Sequence, residues 1–440
     1  MKKVKRRANA ALLLAAAVLL GMGLYVWRFA AQGRSWVNFR ANQHIYSAGS
    51  SVSGTVTDRY GVVLAGTAEG ERTFSTDAAL RVACLHAVGD RQGNIGTGAL
   101  SAFADKLTGY DVLAGVTDSG GVVSLSIDSE LNRTAYAALA GRKGAVLLGD
   151  YTTGEILCMV SSPSYDPETG FDGTDPWYEG VYLNRCLSAA YTPGSVFKLV
   201  TLAAALDRLD GLDDRIFHCD GSVTVDGNEI VCSGVHGDQT VEQALANSCN
   251  VAFAELGLEA GASALRSWGE RLGFTGSLTV SGIPTTAGRL EPGEDGSAAL
   301  AWSGIGQNTD LVCPLAMLRY VSAIAGGGTG RECVLLAGEK GAAARLLPAS
   351  AADKLKAMMN YNVIYSYGAG SFPGLTLCAK SGTAEVGDGS SHAWFTGFLD
   401  DPGHPYAFVV VIENGGGGLR NAGPVANAVL QAAVERSAMS

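Results

Sequence analysis

Gly144-Ala145-Val146-Leu147-Leu148, a turn at Asp150-Tyr151-Thr152-Thr153-Gly154, and Ile156-Leu157-Cys158-Met159-Val160-Ser161 decide the fold class of this chain. Two apolar runs joined by a short glycine-ended turn form an antiparallel hairpin, because a parallel pair needs a crossover of about a dozen residues or more. Just upstream, residues 122–127 alternate as a strand, and 128–140 carry a helix period behind a cap at Asp128 or Ser129. Near the other end, residues 375–380, 393–399 and 408–413 are three further strands and 425–436 a closing amphipathic helix, while about 185–370 is mostly helical. Strands from both ends enclosing a helical middle predict an α+β domain over residues 121–440, its antiparallel sheet completed by the C-terminal strands and flanked by helices.

Working outward, residues 35–120 form a small, mixed, turn-rich module. Its clearest piece is Gly54-Thr55-Val56-Thr57-Asp58-Arg59-Tyr60-Gly61-Val62-Val63-Leu64, a strand, a turn and a strand. The module carries no catalytic cluster and is expected to be a stalk or interaction domain. At the extreme N-terminus Lys2, Lys3, Lys5, Arg6 and Arg7 precede an uncharged apolar run over 10–27. That run is long enough to span a bilayer, and the basic cluster predicts a cytoplasmic N-terminus. Residues 1–34 are therefore expected to be a cytoplasmic tail and transmembrane anchor, with the remainder outside the cytoplasm at the cell membrane. A cleaved signal peptide is the alternative, although the run exceeds a usual signal core and Arg28 closes it where small residues would mark a cleavage site.

With 440 residues, 47% of them hydrophobic and 17% charged, the chain suffices for two folded units. A net charge of -10 excludes a general affinity for nucleic acid, which needs a basic face.

Three polar constellations interrupt the apolar pattern. Tyr191-Thr192-Pro193-Gly194-Ser195-Val196-Phe197-Lys198 turns into a strongly apolar helix, with Ser195 at its start and Lys198 one turn on. A serine hydroxyl attacks once a base takes its proton, and a buried lysine beside a helix N-terminus can be that base. Alone, the pair reads more readily as a helix cap followed by a solvated lysine, since such pairs are common by chance. Asn247-Ser248-Cys249-Asn250 lies in a segment, 241–255, predicted to be helical, where Ser and Asn are mediocre helix formers; a helix end is the alternative. Lys380-Ser381-Gly382-Thr383 ends a strand, with Gly382 permitting close ligand approach and Lys380 supplying charge for a carboxylate.

Ser-x-x-Lys, Ser-Asp-Asn and Lys-Thr-Gly form the working set of β-lactamases and penicillin-binding proteins. Here Ser195-x-x-Lys198, Ser248-x-Asn250 and Lys380-Ser381-Gly382-Thr383 follow in that order. The chain resembles the class B penicillin-binding proteins over nearly its whole length. The likeness extends to the anchor, Asp58-Arg59-Tyr60-Gly61, residues 154–167, Gly304-Ile305-Gly306-Gln307 and Trp394-Phe395-Thr396-Gly397-Phe398. Cys249 fills the variable middle of the second motif, Ser381 replaces the commoner threonine, and the N-terminal module is short.

The resemblance implies a penicillin-binding, β-lactamase-like transpeptidase fold and a serine D,D-transpeptidase that cross-links peptidoglycan stem peptides ending in D-Ala-D-Ala. It implies Ser195 as nucleophile, Lys198 as general base, and the N–H groups of Ser195 and Thr383 as the oxyanion hole. Ser248 would pass a proton to the leaving D-alanine, Asn250 would bind the donor's amide, and Lys380 with Ser381, Gly382 and Thr383 would hold the terminal carboxylate. β-Lactams would block Ser195, and a multi-spanning glycosyltransferase is the implied partner. A D,D-carboxypeptidase shares these motifs. A β-lactamase would be expected to carry a Glu-x-x-Leu-Asn segment, absent here between Asn250 and Lys380, and a β-lactam sensor or scaffold would bind without turnover.

Catalysis calls for no cofactor, yet nine cysteines are an odd number for an exported chain. Cys219, Cys232, His236 and Cys249 fall within one short stretch, and three thiolates with an imidazole are a tetrahedral zinc set. A structural zinc, a Cys219–Cys232 disulfide, and plain burial of Cys249 as a small apolar residue all suit this pattern.

Overall fold

The computed structural model describes residues 2–37, 53–111, 115–117, 120–387 and 389–438; parts of the expected 35–120 module, at 38–52, 112–114 and 118–119, lie outside the described residues. Two compact units form. One gathers Met1–Val56, Ala65–Phe74 and Phe103–Val123, and the other Thr57–Leu64, Ser75–Ala102 and Ser124–Ser440.

The smaller unit contains helix α1, Lys2–Val37. Over Lys2–Gly33 its mean hydropathy reaches 2.2, and it is the one helix among the described residues long and apolar enough to cross a membrane. Two short antiparallel ladders accompany it, Ala65–Ala68 against Glu71–Phe74 and Gly109–Asp111 against Gly115–Thr117.

The larger unit is organised by five strands: β1 Gly144–Asp150, β2 Ile156–Ser162, β3 Leu377–Glu385, β4 Ser391–Leu399 and β5 Tyr406–Ile412. Their order is β3-β4-β5-β1-β2, antiparallel throughout. The predicted hairpin over 144–161 is there, in register from Gly144 opposite Ser162 to Leu148 opposite Cys158, with one slip at Leu148/Gly149. β5 pairs with β1 from Tyr406 opposite Asp150 to Ile412 opposite Gly144, so the C-terminal strands complete the sheet as expected.

The helices that bear on the sheet and the site are α2 Ser129–Leu139, α3 Lys198–Arg208, α4 Val241–Ala246, α5 Asn250–Ala260, α6 Ala349–Asn362 and α7 Gly423–Ser437. Asp128 caps α2 by accepting from Glu130 N at 2.9 Å. α2 and α7 bury Leu131, Ala135, Val425, Val429 and Leu430 against Val146, Leu148, Phe395, Phe408 and Val410 of the sheet. Each large side chain so buried contributes about 1.5–3 kcal/mol, which makes this layer a rigid base for the site.

The Asp58–Gly61 turn is also present. Asp58 Oδ1 accepts from Tyr60 N and Val62 N at 2.9 Å each, and Oδ2 accepts from Ser129 Oγ at 2.7 Å.

Two expectations need correction. The middle of the chain is not uniformly helical: Ile216–Cys219 pairs with Gly237–Thr240, and Ser222–Val225 pairs with Asn228–Val231. Asp226-Gly227, both with positive φ, makes the tight turn that an alternating Ser-Val-Thr-Val strand needs to fold back. The predicted helix over 241–255 is broken, and Asn247-Ser248-Cys249 joins α4 to α5 with Ser248 at φ 52°. The interruption gives α5 a fresh N-cap, since Cys249 Sγ accepts from Ala252 N at 3.5 Å.

Candidate active site

Ser195 lies in a short 3-10 turn, Gly194–Phe197, that leads into α3. Backbone packing fixes this turn. Gly194 N donates to Gly306 O at 2.8 Å, and Gly194 itself sits at φ 55° where an added Cβ would meet Thr383 O at 2.7 Å. Only glycine allows the first motif to lie this close to the end of β3. Behind it, Trp394 Nε1 donates to Thr192 O at 3.0 Å, and Tyr191 Oη donates to Glu413 Oε1 at 2.8 Å. Arg185 Nε holds the same carboxylate oxygen at 2.8 Å.

One helical turn on, Lys198 is fully buried. Its Nζ lies 2.5 Å from Ser248 O, 3.2 Å from Ser248 Oγ and 2.7 Å from Asn250 Oδ1. Lys380, also buried, reaches Ser248 Oγ from β3 at 3.0 Å and its neighbour's carbonyl, Ser381 O, at 2.9 Å. Two lysines from different elements therefore converge on one hydroxyl, with no carboxylate among their hydrogen-bond partners in the described residues. Burial pulls Lys198 down to about 7, against a smaller upward push from Cys232 and Cys249. Burial, and then the Lys198 charge, hold Lys380 well below the usual lysine range. A lysine near 7 is half neutral at physiological pH, which is the state in which its lone pair accepts a proton.

β3 is the edge strand of the sheet. Its outward-facing groups are satisfied in turn: Asn360 Nδ2 donates to Leu377 O at 3.2 Å, Asn362 Nδ2 to Ala379 O at 2.8 Å, and Ser381 N to Tyr367 Oη at 2.7 Å. By strand alternation the N–H of Thr383 faces the same open edge, next to the Ser195 turn. Thr383 is exposed and Ser195 half-buried.

The motif residues Ser195, Lys198, Ser248, Asn250, Lys380, Ser381, Gly382 and Thr383 come together where the Ser195 turn, the α4–α5 junction and β3 meet. Asn362 and Tyr367 carry no motif and reach the third motif only through the packing of α6 on β3.

Next to the second motif, Cys219, Cys232, His236 and Cys249 bring their ligand atoms within 4.8 Å of one another. Cys232 Sγ stands 3.8 Å from Cys249 Sγ and 3.5 Å from His236 Nδ1, and Cys219 Sγ stands 3.6 Å from that nitrogen. A tetrahedral zinc with Zn–S of about 2.3 Å and Zn–N of about 2.0–2.1 Å has S···S edges near 3.8 Å and S···N edges near 3.5 Å, so the donor set fits that ion. Asn250 N donates to Cys232 Sγ at 3.2 Å, and the bond to Cys249 holds Cys232 below the usual thiol range while Cys249 is pushed up. The cluster is tied to the second motif directly, for Cys249 lies between Ser248 and Asn250, and Asn250 Nδ2 donates to Val231 O at 2.8 Å.

A serine at the head of a helix, a buried lysine one turn on and an open β-edge with a lysine define an active-site-serine acyl-transfer enzyme. The penicillin binding protein transpeptidase domain matches residues 144–431, and the chain belongs to this family of penicillin-binding proteins. The class B resemblance drawn from the motifs is borne out. The chain is 29% identical to the peptidoglycan D,D-transpeptidase PbpA of Mycobacterium tuberculosis over 373 residues, 74% of this chain and 75% of that protein. Among solved structures it is similar to the imipenem acyl-enzyme complex of penicillin-binding protein A from M. tuberculosis, with TM-score 0.77, 26% identity and coverage of 88% of this chain and 99% of that one. It is also similar to a chain in the complex of PBP2 with MreC from Helicobacter pylori, with TM-score 0.64, 25% identity and coverage of 73% and 66%.

Proposed function

We propose that this chain is a membrane-anchored serine D,D-transpeptidase that cross-links peptidoglycan stem peptides. The observation that carries the proposal is the meeting of Lys198 and Lys380 on Ser248 Oγ beside the Ser195 turn. Ser195 Oγ attacks the carbonyl between the two terminal D-alanines, and its proton passes to neutral Lys198 Nζ. The oxyanion lies between the N–H groups of Ser195 and Thr383. As the C–N bond breaks, Lys198 returns the proton through the Ser248 hydroxyl to the departing D-alanine, leaving an ester on Ser195. An amine from a second stem peptide attacks that ester, loses a proton along the same route, and restores Ser195. Asn250 holds the donor's amide, and Lys380, Ser381 and Thr383 hold its terminal carboxylate where Gly382 lets it approach.

A β-lactam enters as a mimic of D-Ala-D-Ala and stops at the ester. Intact mass after benzylpenicillin treatment is expected to show one penicilloyl adduct on the full chain and none on Ser195→Ala; an adduct on the alanine variant would overturn Ser195 as nucleophile. Labelled stem peptide with an amine acceptor is expected to give cross-linked product, whereas release of D-alanine without it would make the enzyme a carboxypeptidase.

The apolar helix supports placement of the catalytic unit outside the cytoplasm, with residues 35–120 as a stalk or interaction module and 121–440 as the transpeptidase domain. A multi-spanning glycosyltransferase would supply the glycan strands that this chain has no motif to polymerise. The Helicobacter pylori PBP2 solved in complex with MreC supports docking of this chain to a protein partner of that kind.

Cys219, Cys232, His236 and Cys249 hold a structural zinc in this proposal. The ion would clamp the 216–240 strands to the turn bearing Ser248 and Asn250, leaving the chemistry to the protein's own groups. Metal analysis of chain purified without chelator is expected to give about one zinc per molecule; a vacant site with Cys219 joined to Cys232 in a non-reducing peptide map would reject it.

A further inference from the structure

Side chains from the end of α6 and the turn after it meet three backbone groups along the free edge of β3. Asn360 and Asn362, near the end of α6, take Leu377 O and Ala379 O. α6 then passes into a five-residue π-helical turn, Val363–Tyr367, which gives the helix end a wider loop than an α-turn would. The turn delivers the Tyr367 ring beside the strand, packed against Phe395 at 5.7 Å between centroids.

The phenol oxygen of Tyr367 is then fully used. It accepts from Ser381 N at 2.7 Å and from Asn362 Nδ2 at 2.8 Å, which fills both of its acceptor positions. Its own proton has one partner, Ser381 Oγ at 2.9 Å. Ser381 Oγ is thus made an acceptor on the side of the tyrosine, and its hydroxyl proton is left for another partner. Burial raises the phenol's pKa above the ordinary tyrosine range, so this proton stays in place over the working pH range.

We infer that Tyr367 is a positioning residue of the reaction: it fixes the Ser381 hydroxyl as a hydrogen-bond donor aimed at the substrate's terminal carboxylate. Without the phenol, the hydroxyl is free to rotate, to spend its proton elsewhere and to meet the carboxylate oxygen to oxygen. The inference rests on the D,D-transpeptidase reading, in which that carboxylate lies against β3.

The test compares two probes on the detergent-solubilised full chain, benzylpenicillin with its free carboxylate and benzylpenicillin methyl ester. Tyr367→Phe keeps the ring and its packing while removing both the phenol proton and its acceptor. It is expected to slow acylation by benzylpenicillin about tenfold or more, the factor that goes with a lost hydrogen bond to a charged group, and to leave acylation by the ester nearly unchanged. Equal slowing of both probes would mean a merely structural role and would overturn the inference, as would no slowing of either. Ser381→Ala measures the same hydroxyl without touching the tyrosine; if it leaves the carboxylate-over-ester preference intact, the relay is overturned even if the tyrosine variant does not fold. The double variant is expected to be no slower than the slower single one, and full additivity would count against a shared path. Failure of the unaltered chain to react with either probe would instead sink the functional reading beneath the inference.

Discussion

In the proposed reaction Lys198, as the base, is the residue on which most of the chemistry turns. It is buried, and every hydrogen-bond partner recorded for it is uncharged: a carbonyl, a hydroxyl and an amide oxygen. Desolvation therefore outweighs the smaller upward push of Cys232 and Cys249 and draws the ammonium down to about 7. The neutral form is the base, so acylation is expected to rise with pH through about 7 and level off above it. The groups facing this amine are Lys380, itself held well below the usual lysine range by burial and then by the Lys198 charge, and the Cys232 and Cys249 thiols, whose ionisation would favour the charged form of Lys198. Stopped-flow acylation by a chromogenic β-lactam between pH 5 and 9 gives the profile, and a rate that falls with rising pH would assign the base elsewhere. Lys198→Ala is expected to slow the same reaction by roughly 10²–10⁴-fold, the usual contribution of a general base. Ser195, Lys198 and Lys380 were legible because each sits in a short contiguous motif. Tyr367 was not, because its role exists only where the end of α6 meets β3, and no local pattern encodes that contact.

At the scale of elements, the break between α4 and α5 is the least legible feature. Residues 241–255 have helical composition, and the chain nevertheless turns left-handed at Ser248, φ 52°, because Lys198 Nζ holds the Ser248 carbonyl and Cys249 caps the next helix. Such a backbone costs a residue with a Cβ roughly 1–2 kcal/mol. The usual ranking of alanine over glycine should therefore reverse: Ser248→Gly is expected to melt above Ser248→Ala by several degrees, though both lose the hydroxyl that Lys198 and Lys380 share. Thermal melts of the two variants decide it, and an alanine variant of equal or higher Tm would mean that the left-handed turn is not imposed on the sequence. The hairpin Ser222–Val231 was hidden for a different reason. Its strands are short, and the Asp226-Gly227 signal lay inside a long stretch dominated by helical periodicity.

At the scale of the whole molecule, the sheet and its completion by the C-terminal strands were legible, since strand alternation and a two-sided apolar core leave few alternatives for residues 144–161 and 375–413. The composition of the two compact units was not, since the chain passes between them several times and no composition shift marks the crossings. The apolar helix yields a topological prediction: protease added to intact spheroplasts is expected to remove the catalytic unit, and full protection of it would reverse the orientation. The pairing of Gly144 with Ile412 has a consequence in time as well as space. A chain threaded across a membrane from its N-terminus delivers β1 and β2 long before β5, so the early hairpin must wait with one ladder unpaired and its apolar faces bare. In the proposed topology, folding of this unit is expected to be a late event in biogenesis, with the half-exported chain a client for holding chaperones until its last strands arrive.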